Sequence, residues 1–219
     1  MTLPKLAIFD MDGVIFDTER LFMETRAVVM KKYGYEHREE DYIRTLGTSG
    51  EELRSILLEL YGPEYPMDQI TKETREALSE AISKNGPPVK KGIRELLNYF
   101  GEKEVPCCIA SSSPKEVIKE YLLHSGLTPF FEFIVSGDDV SRSKPDPEIF
   151  NYACEEAMIT PNRALVLEDS PNGIAAAWAA RIPTICIPDL VTPSIDDARR
   201  TFGVVDSADL VIRLFEEQE

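Results

Sequence analysis

The stretch LAIFDMDG, residues 6–13, decides the fold, because an apolar strand ends there at two acidic residues and a glycine. Its first four residues are all apolar, which is typical of a strand covered on both faces of a parallel sheet. Asp10 and Asp12 follow, and in an extended chain this spacing sends both side chains to the same side. An isolated pair of this kind is more often a helix or turn cap. The apolar strand before it favours a site that holds a cation, because buried carboxylates are costly without one.

Short apolar runs alternate with amphipathic segments in the chain after residue 88. Continuous apolar runs separated by helical segments indicate parallel strands joined by helical crossovers, so we expect an α/β fold with a doubly wound parallel sheet. Residues that follow these strands should meet at one edge of the sheet, where open parallel sheets bind ligands. The runs are PCCIASS (106–112), FEFIVSGD (131–138), LVLED (165–169), PTICIP (183–188) and ADLVI (208–212).

Residues 18–88 have a different, purely helical pattern, broken by glycines and prolines. We therefore predict a core domain of residues 1–17 and 89–219 and a helical cap domain of residues 18–88 inserted after the first strand. A domain inserted at this point should act as a lid above the carboxyl edge of the sheet. The predicted helical segments are 19–33, 38–46, 50–60 and 68–84.

Composition and charge exclude several classes of partner. The 219 residues include 24 basic and 39 acidic side chains, and the net charge of −15 repels nucleic acid and anionic lipid. No apolar run approaches the roughly 20 residues of a membrane helix, and the N-terminus lacks the features of a secretory signal. We expect a cytoplasmic protein without nucleic-acid or membrane partners, either a monomer or a weak homodimer.

Three less common residue types give further expectations. The four cysteines lie in apolar segments without metal-ligand spacing, which predicts buried thiols in a reducing compartment. His37 and His124 lie in polar helical surroundings and are expected at the surface. Trp178 lies in an alanine-rich helical segment, which favours a position in the core.

Hydroxyl groups end the run PCCIASS (106–112). Ser111 and Ser112 could bind a phosphate oxygen together with free backbone N–H groups near the start of a helix. Ser113, Pro114 and Glu116 predict that this helix begins with a capping box. By itself this segment would more often be a simple helix cap.

Charged residues follow the run FEFIVSGD (131–138) and end the run LVLED (165–169). Lys144 could neutralise a phosphoryl group, although a single lysine is normally a solvated surface residue. Glu168 and Asp169 end the run LVLED, and two acids after a mainly apolar strand favour a metal site over a surface pair. A chain of net charge −15 needs such local groups to bind an anion.

Four motifs, taken in this order, resemble one known family over essentially the whole chain. They are FDMDGVIFDTE (9–19), IASSSP (109–114), SKPDPEIF (143–150) and LEDSPNGIAAA (167–177). The sequence resembles the haloacid dehalogenase superfamily, in the helical-cap subgroup that contains phosphoglycolate phosphatase, sugar-phosphate phosphatases and β-phosphoglucomutase. This resemblance implies a Rossmann-like core and a hydrolase of phosphate monoesters.

The resemblance also implies roles for residues in the motifs. Asp10 would be the nucleophile that forms an aspartyl-phosphate, and Asp12 the general acid and base. Ser111 and Lys144 would bind the phosphate group, and the hydroxyl of Ser112 makes it a further candidate.

A magnesium ion is implied as the cofactor. The family pattern assigns its ligands to the carboxylates of Asp10 and Asp169 and to the backbone carbonyl of Asp12. Glu168 would support the ion directly or through water.

Other activities of the family are distinguished by single residues. Dehalogenases do not need the second acid of the first motif, so Asp12 favours phosphoryl transfer. A phosphonatase would require a Schiff-base lysine, whereas the cap lysines lie in polar stretches. β-Phosphoglucomutase has a histidine at the position of Phe22 and a cap arginine at the position of Gly50, so its pattern is incomplete here.

The sequence therefore predicts a phosphatase of a small phosphorylated metabolite, most simply a sugar phosphate, with Thr48 and Ser49 of the cap facing the substrate. The first alternative is a mutase similar to β-phosphoglucomutase. A second alternative is a noncatalytic, phosphate-binding regulatory module on the same fold.

Overall fold

The computed structural model describes residues 2–46, 48 and 50–216 of the chain. It contains two compact units, one made of Met1–Asp17 with Pro87–Glu219 and the other of Thr18–Gly86. We call them the core unit and the helical unit.

The core unit is built on a parallel sheet. Its strands are β1 (Leu6–Phe9), β2 (Cys107–Ala110), β3 (Phe133–Val135), β4 (Ala164–Glu168), β5 (Thr184–Cys186) and β6 (Gly203–Val204). They pair in the order β3-β2-β1-β4-β5-β6, and every neighbouring pair is parallel. The predicted doubly wound sheet is confirmed. Because the chain winds outward in both directions from β1, the gap between β1 and β4 is the switch point at which such sheets bind ligands.

The register of the sheet explains why the first motif ends where it does. Phe9 pairs with Ile109 of β2 and with Leu167 of β4, so the three strands end almost level. The side chains of β1 are fully buried and alternate between two apolar clusters, Ala7 and Phe9 on one face and the other two residues on the opposite face. Burial on both faces is the physical reason for the unbroken apolar run.

The described residues of the helical unit form four helices, α1 (Thr18–Lys32), α2 (Glu39–Ile43), α3 (Gly50–Tyr61) and α4 (Met67–Asn85). These bounds agree with the four helical segments predicted from periodicity. Helix α1 packs along α4, and a small core inside the unit holds the bundle together. That core consists of Val29, Met30, Leu57, Tyr65 and Ile70.

Six further α-helices cover the sheet within the described residues of the core unit. They are α5 (Ile93–Glu102), α6 (Lys115–Ser125), α7 (Glu148–Glu156), α8 (Pro171–Ala179), α9 (Ile195–Arg199) and α10 (Asp209–Glu216). The run ADLVI, predicted as a strand, instead lies in and just before α10, and the last strand is the short β6. Ala208, Val211 and Phe215 are buried at helical spacing, so this run packs one face of a helix against the sheet. A short apolar run fits either structure, and the sequence does not say which.

The predicted capping box at the start of α6 is also wrong. The residue before the helix is Pro114, and it makes no side-chain cap. The Ser113 hydroxyl instead donates a hydrogen bond to Asp12, 2.8 Å away, at the end of β1. Ser113 therefore hydrogen-bonds to a residue far away in the sequence and does not cap the helix that follows it.

The remaining expectations have mixed outcomes. All four cysteines are buried free thiols, as predicted. Trp178 is 59% exposed rather than in the core, because the small residues of α8 face the sheet in its place. Among the helices of the described residues, none is both long and apolar enough to cross a membrane.

Candidate active site

The two acids of the first motif lie immediately after β1. Asp10 is 8% exposed, and its backbone N–H donates to the carbonyl of Leu167 at 3.0 Å, which fixes it beside the end of β4. Gly13 then turns the chain with a φ of +82°, a conformation that favours glycine. A Cβ atom at Gly13 would lie 2.2 Å from Oδ2 of Asp169. The glycine therefore lets the first and fourth motifs approach each other.

Lys144 is the cation of this site. Its ammonium group contacts Asp10 Oδ1, Glu168 Oε1 at 2.8 Å and the carbonyl of Ala110 at 3.1 Å. It also lies over the ring of Phe150, 4.8 Å from the ring centre. The side chain is only 6% exposed, so this lysine is not a solvated surface residue. Three acceptors from three strand ends hold it in place.

Glu168 ends β4 and is almost completely buried, at 1% exposure. One carboxylate oxygen accepts from Lys144, and the other accepts from the backbone N–H groups of Asp169 and Ser170, both at 2.8 Å. The Ser170 hydroxyl donates to the same oxygen at 3.0 Å. Glu168 thus connects the ammonium group of Lys144 to the turn that leads into α8.

Close packing of this turn depends on a second glycine. A Cβ atom at Gly173 would lie 1.6 Å from Oε1 of Glu168. The Ser170 side chain caps α8 by accepting from the Gly173 backbone N–H at 3.0 Å. Only a residue without a side chain fits between α8 and the carboxylate.

Burial and neighbouring charges both shift the pKa values of Asp10, Asp169 and Lys144. Burial raises the pKa of Asp10 to about 7, with Lys144 opposing the rise and Glu168 adding to it. Burial also raises the pKa of Asp169, and the charges of Glu168 and Asp10 raise it further. Burial alone would lower the pKa of Lys144, but the two neighbouring carboxylates outweigh it and raise this pKa. Lys144 therefore only partly offsets the repulsion among these carboxylates.

Three of these acids can share a cation. Asp10, Glu168 and Asp169 each offer a carboxylate oxygen, and these oxygens lie within 4.8 Å of one another. Carboxylate oxygens are the usual protein ligands of Mg²⁺. The donor set and its unbalanced negative charge fit a divalent ion.

Two nearby residues were not identified from the sequence. Lys90 and Asp189 form an ion pair of 2.6 Å, and both act electrostatically on Asp169. Asp189 follows β5 as Asp169 follows β4, and this common position after an apolar run is the signal that could have identified it. No pattern indicated Lys90, which precedes α5.

The predicted phosphate and substrate residues are in several places. Ser111 is buried at the end of β2, where its hydroxyl accepts from the backbone N–H of Ser113 at 3.1 Å. Ser112 is next to it and exposed. In the helical unit, the Thr48 hydroxyl donates to the carbonyl of Thr45 at 2.7 Å. Ser49 lies outside the described residues, so its predicted role has no structural counterpart here.

The fold and the site together define a class: a parallel α/β protein with a buried aspartate, a buried lysine and a cluster of three carboxylates at the switch point of its sheet. The chain belongs to the family of haloacid dehalogenase-like hydrolases, whose model matches residues 7–187. Membership agrees with the resemblance seen in the four motifs.

Known proteins similar to this chain include phosphatases and a mutase. The phosphorylated carbohydrates phosphatase of Thermotoga maritima is 34% identical over 83% of this chain and 83% of its own length. Hexitol phosphatase B of Escherichia coli is 29% identical over 83% of this chain and 82% of its own. The crystal structure of β-phosphoglucomutase from Clostridium difficile has a TM-score of 0.70 and 23% identity over 99% of both chains, which shows the fold alone.

Proposed function

We propose that this protein is a Mg²⁺-dependent phosphatase that hydrolyses a small phosphorylated carbohydrate through an aspartyl-phosphate. The observation that carries the proposal is the buried contact of Lys144 with Asp10 at the switch point of the sheet. It is joined by the metal-type cluster of Asp10, Glu168 and Asp169. The phosphatases among the relatives support the same reaction and the same class of substrate.

In the proposed reaction, a carboxylate oxygen of Asp10 attacks the phosphorus atom and the bond from phosphorus to the ester oxygen breaks. Asp12 gives its proton to the departing alcohol. It then takes a proton from the water that attacks the aspartyl-phosphate, which releases inorganic phosphate and restores Asp10. The hydrogen bond from Ser113 to Asp12 orients this carboxyl group.

Lys144 would bind an oxygen of the phosphoryl group and keep the Asp10 carboxylate in place. Asp10, Glu168 and Asp169, together with the backbone carbonyl of Asp12, would hold Mg²⁺. When bound, the ion would supply the positive charge that offsets repulsion between carboxylate and phosphate.

Hydrolysis is preferred over phosphohexose isomerisation because of two residues in the helical unit. Phe22 stands where the mutase has a histidine, and its ring packs near Tyr42 with 6.0 Å between the ring centres. Gly50 begins α3 and has no side chain that could bind a second phosphate. Without these groups, water is the ordinary acceptor of the phosphoryl group.

Phosphate release from an aryl phosphate, with and without Mg²⁺, tests the proposal. The wild-type protein should release phosphate only with the ion, and Asp10→Asn should be inactive. Asp206→Asn is the matched control, because it makes the same charge change at an exposed position of the core unit. Release by Asp10→Asn at the wild-type rate would disprove the assigned nucleophile, and no release by the wild type would favour the noncatalytic module.

A panel of sugar phosphates, phosphoglycolate, nucleotides and pyrophosphate then identifies the substrate class. Sugar phosphates should be hydrolysed fastest. Rapid conversion of β-glucose 1-phosphate to glucose 6-phosphate would overturn the choice of phosphatase over mutase.

A further inference from the structure

The helical unit contains a buried arginine that forms no ion pair with any residue that the structure describes. Arg26 of α1 is 5% exposed, and one terminal nitrogen donates to the hydroxyl of Tyr65 at 3.1 Å. Its Nε atom is buried and has no hydrogen-bond partner in the described part of the chain. Within residues 2–46, 48 and 50–216, no carboxylate forms an ion pair with it. A guanidinium group has five N–H donors, and the Nε–H of Arg26 is a buried donor without an acceptor among the described residues.

A partly buried histidine lies in the same region of the helical unit. His37 was expected at the surface, but it is partly buried, with Nδ1 lying 3.0 Å from the hydroxyl of Tyr61. Its other nitrogen, Nε2, is buried and has no hydrogen-bond partner among the residues that the structure describes. When Tyr61 donates to Nδ1, the proton of the neutral ring lies on Nε2, which is then a free donor.

Aromatic contacts connect these two groups. The rings of Tyr61 and Tyr65 are stacked with their centres 4.9 Å apart, and Tyr35 packs edge-on against both. Tyr61 is therefore the hydrogen-bond partner of His37, and Tyr65 is that of Arg26. We call Arg26, His37, Tyr61 and Tyr65 the arginine cluster.

The charges around the cluster agree with this arrangement. Burial, followed by the positive charge of Arg26, lowers the pKa of His37 to about 4, while Asp41 opposes the shift. Arg38 and Asp41 also act on Tyr61. Asp41 is therefore close enough to influence the cluster but does not neutralise Arg26 by direct contact.

A buried positive charge is costly unless it is paired. We propose that Arg26, His37 and the Tyr65 hydroxyl form a binding site for a small oxyanion, either a phosphate or a carboxylate group. The anion would accept hydrogen bonds from the Nε–H of Arg26 and from Nε2 of His37, and its negative charge would offset the positive charge of the guanidinium group. This site lies within the helical unit and does not depend on the proposed phosphatase reaction.

Histidine NMR provides a local measurement, because the chain has only two histidines and His124 is exposed on α6. Phosphate and malonate are titrated separately into the labelled full-length protein, with chloride at equal ionic strength as reference. The ring signals of His37 should shift and saturate with at least one oxyanion and not with chloride, while those of His124 change little. A shift with phosphate alone identifies a phosphate site, and a shift with malonate alone identifies a carboxylate site.

Variants separate this site from general charge effects. Arg26→Gln should weaken the saturable response of His37 at least about tenfold, the loss expected for charge-assisted hydrogen bonds. Arg54→Gln, an exposed arginine of α3, should leave it unchanged. If Arg26→Gln does not fold, Arg26→Lys keeps the charge and loses the forked donors, so it should still weaken binding.

A variant of the core unit separates this site from the candidate active site. Lys144→Ala removes the proposed phosphate ligand there, and the response of His37 should persist with the same affinity. Loss of the response in Lys144→Ala would overturn the proposal, because the signal would then report binding at the core unit. An equal response in Arg26→Gln and wild type, or no saturable response with either oxyanion, would overturn it as well.

Discussion

Replacing Gly173 by alanine should damage this protein, although the same change usually favours a helix. Gly173 lies in the first turn of α8, where alanine has the better helix propensity by up to about 1 kcal/mol. The new Cβ atom would lie 1.6 Å from Oε1 of Glu168, which is far inside van der Waals contact. The carboxylate or the helix must therefore move.

The size of the loss follows from what Glu168 holds. Its carboxylate accepts from Lys144, from two backbone N–H groups and from the hydroxyl of Ser170. Hydrogen bonds to a charged group contribute about 1.5–3 kcal/mol each. Loss of two of them, less the gain in helix propensity, gives a destabilisation of about 2–5 kcal/mol. Activity should also fall, because Lys144 loses one of its three acceptors.

Urea unfolding measures the stability of Gly173→Ala, and aryl phosphate hydrolysis measures its activity. Gly101→Ala is the matched control, because Gly101 lies in α5 and nothing lies within 4 Å of the position that its Cβ would take. The control should be equally or slightly more stable and fully active. If Gly173→Ala matched the control in both assays, the close packing of Glu168 against α8 would be wrong.

Three further predictions concern Lys144, Ser113 and His37. Lys144→Met should abolish phosphate release and, by leaving two buried carboxylates without their cation, lower the free energy of unfolding by about 3–5 kcal/mol; a variant with wild-type turnover would disprove its role. Ser113→Ala removes the hydroxyl that donates to Asp12, so kcat should fall about fivefold, as expected for about 1 kcal/mol; a change in KM alone would argue against this. Because the pKa of His37 is lowered to about 4 in the folded state, the unfolded state binds the proton more readily. Stability should fall by no more than about 2 kcal/mol as the pH drops from about 6.5 to 4, and urea unfolding of His37→Gln at pH 7 and 5 should show a smaller decrease than wild type.

The sequence by itself determined the sheet and the acids at its edge. Four continuous apolar residues before Asp10 could only be satisfied by burial on both faces, and the spacing to Asp12 fixed a carboxylate pair just past the strand. The helices of the helical unit were equally readable, because their periodicity extends over several turns. These features depend on neighbours that are close along the chain.

The tertiary structure decided which partner each polar group received. Ser113 looked like a helix cap until Asp12, 101 residues away, was placed within reach of its hydroxyl. Glu168 was predicted only as a support for the metal, but it also fixes Lys144 and the turn into α8. The run ADLVI had no local feature that distinguishes a short strand from a helix face.

Burial of charge was likewise set by the fold alone. Polar neighbours in the sequence placed His37 at the surface, whereas packing of Tyr61 and Tyr65 enclosed it with Arg26. A hydrogen bond or a buried charge depends on distances between residues far apart in the chain. Local sequence patterns contain periodicity but not those distances, so they determined the elements and left their polar contacts to the folded structure.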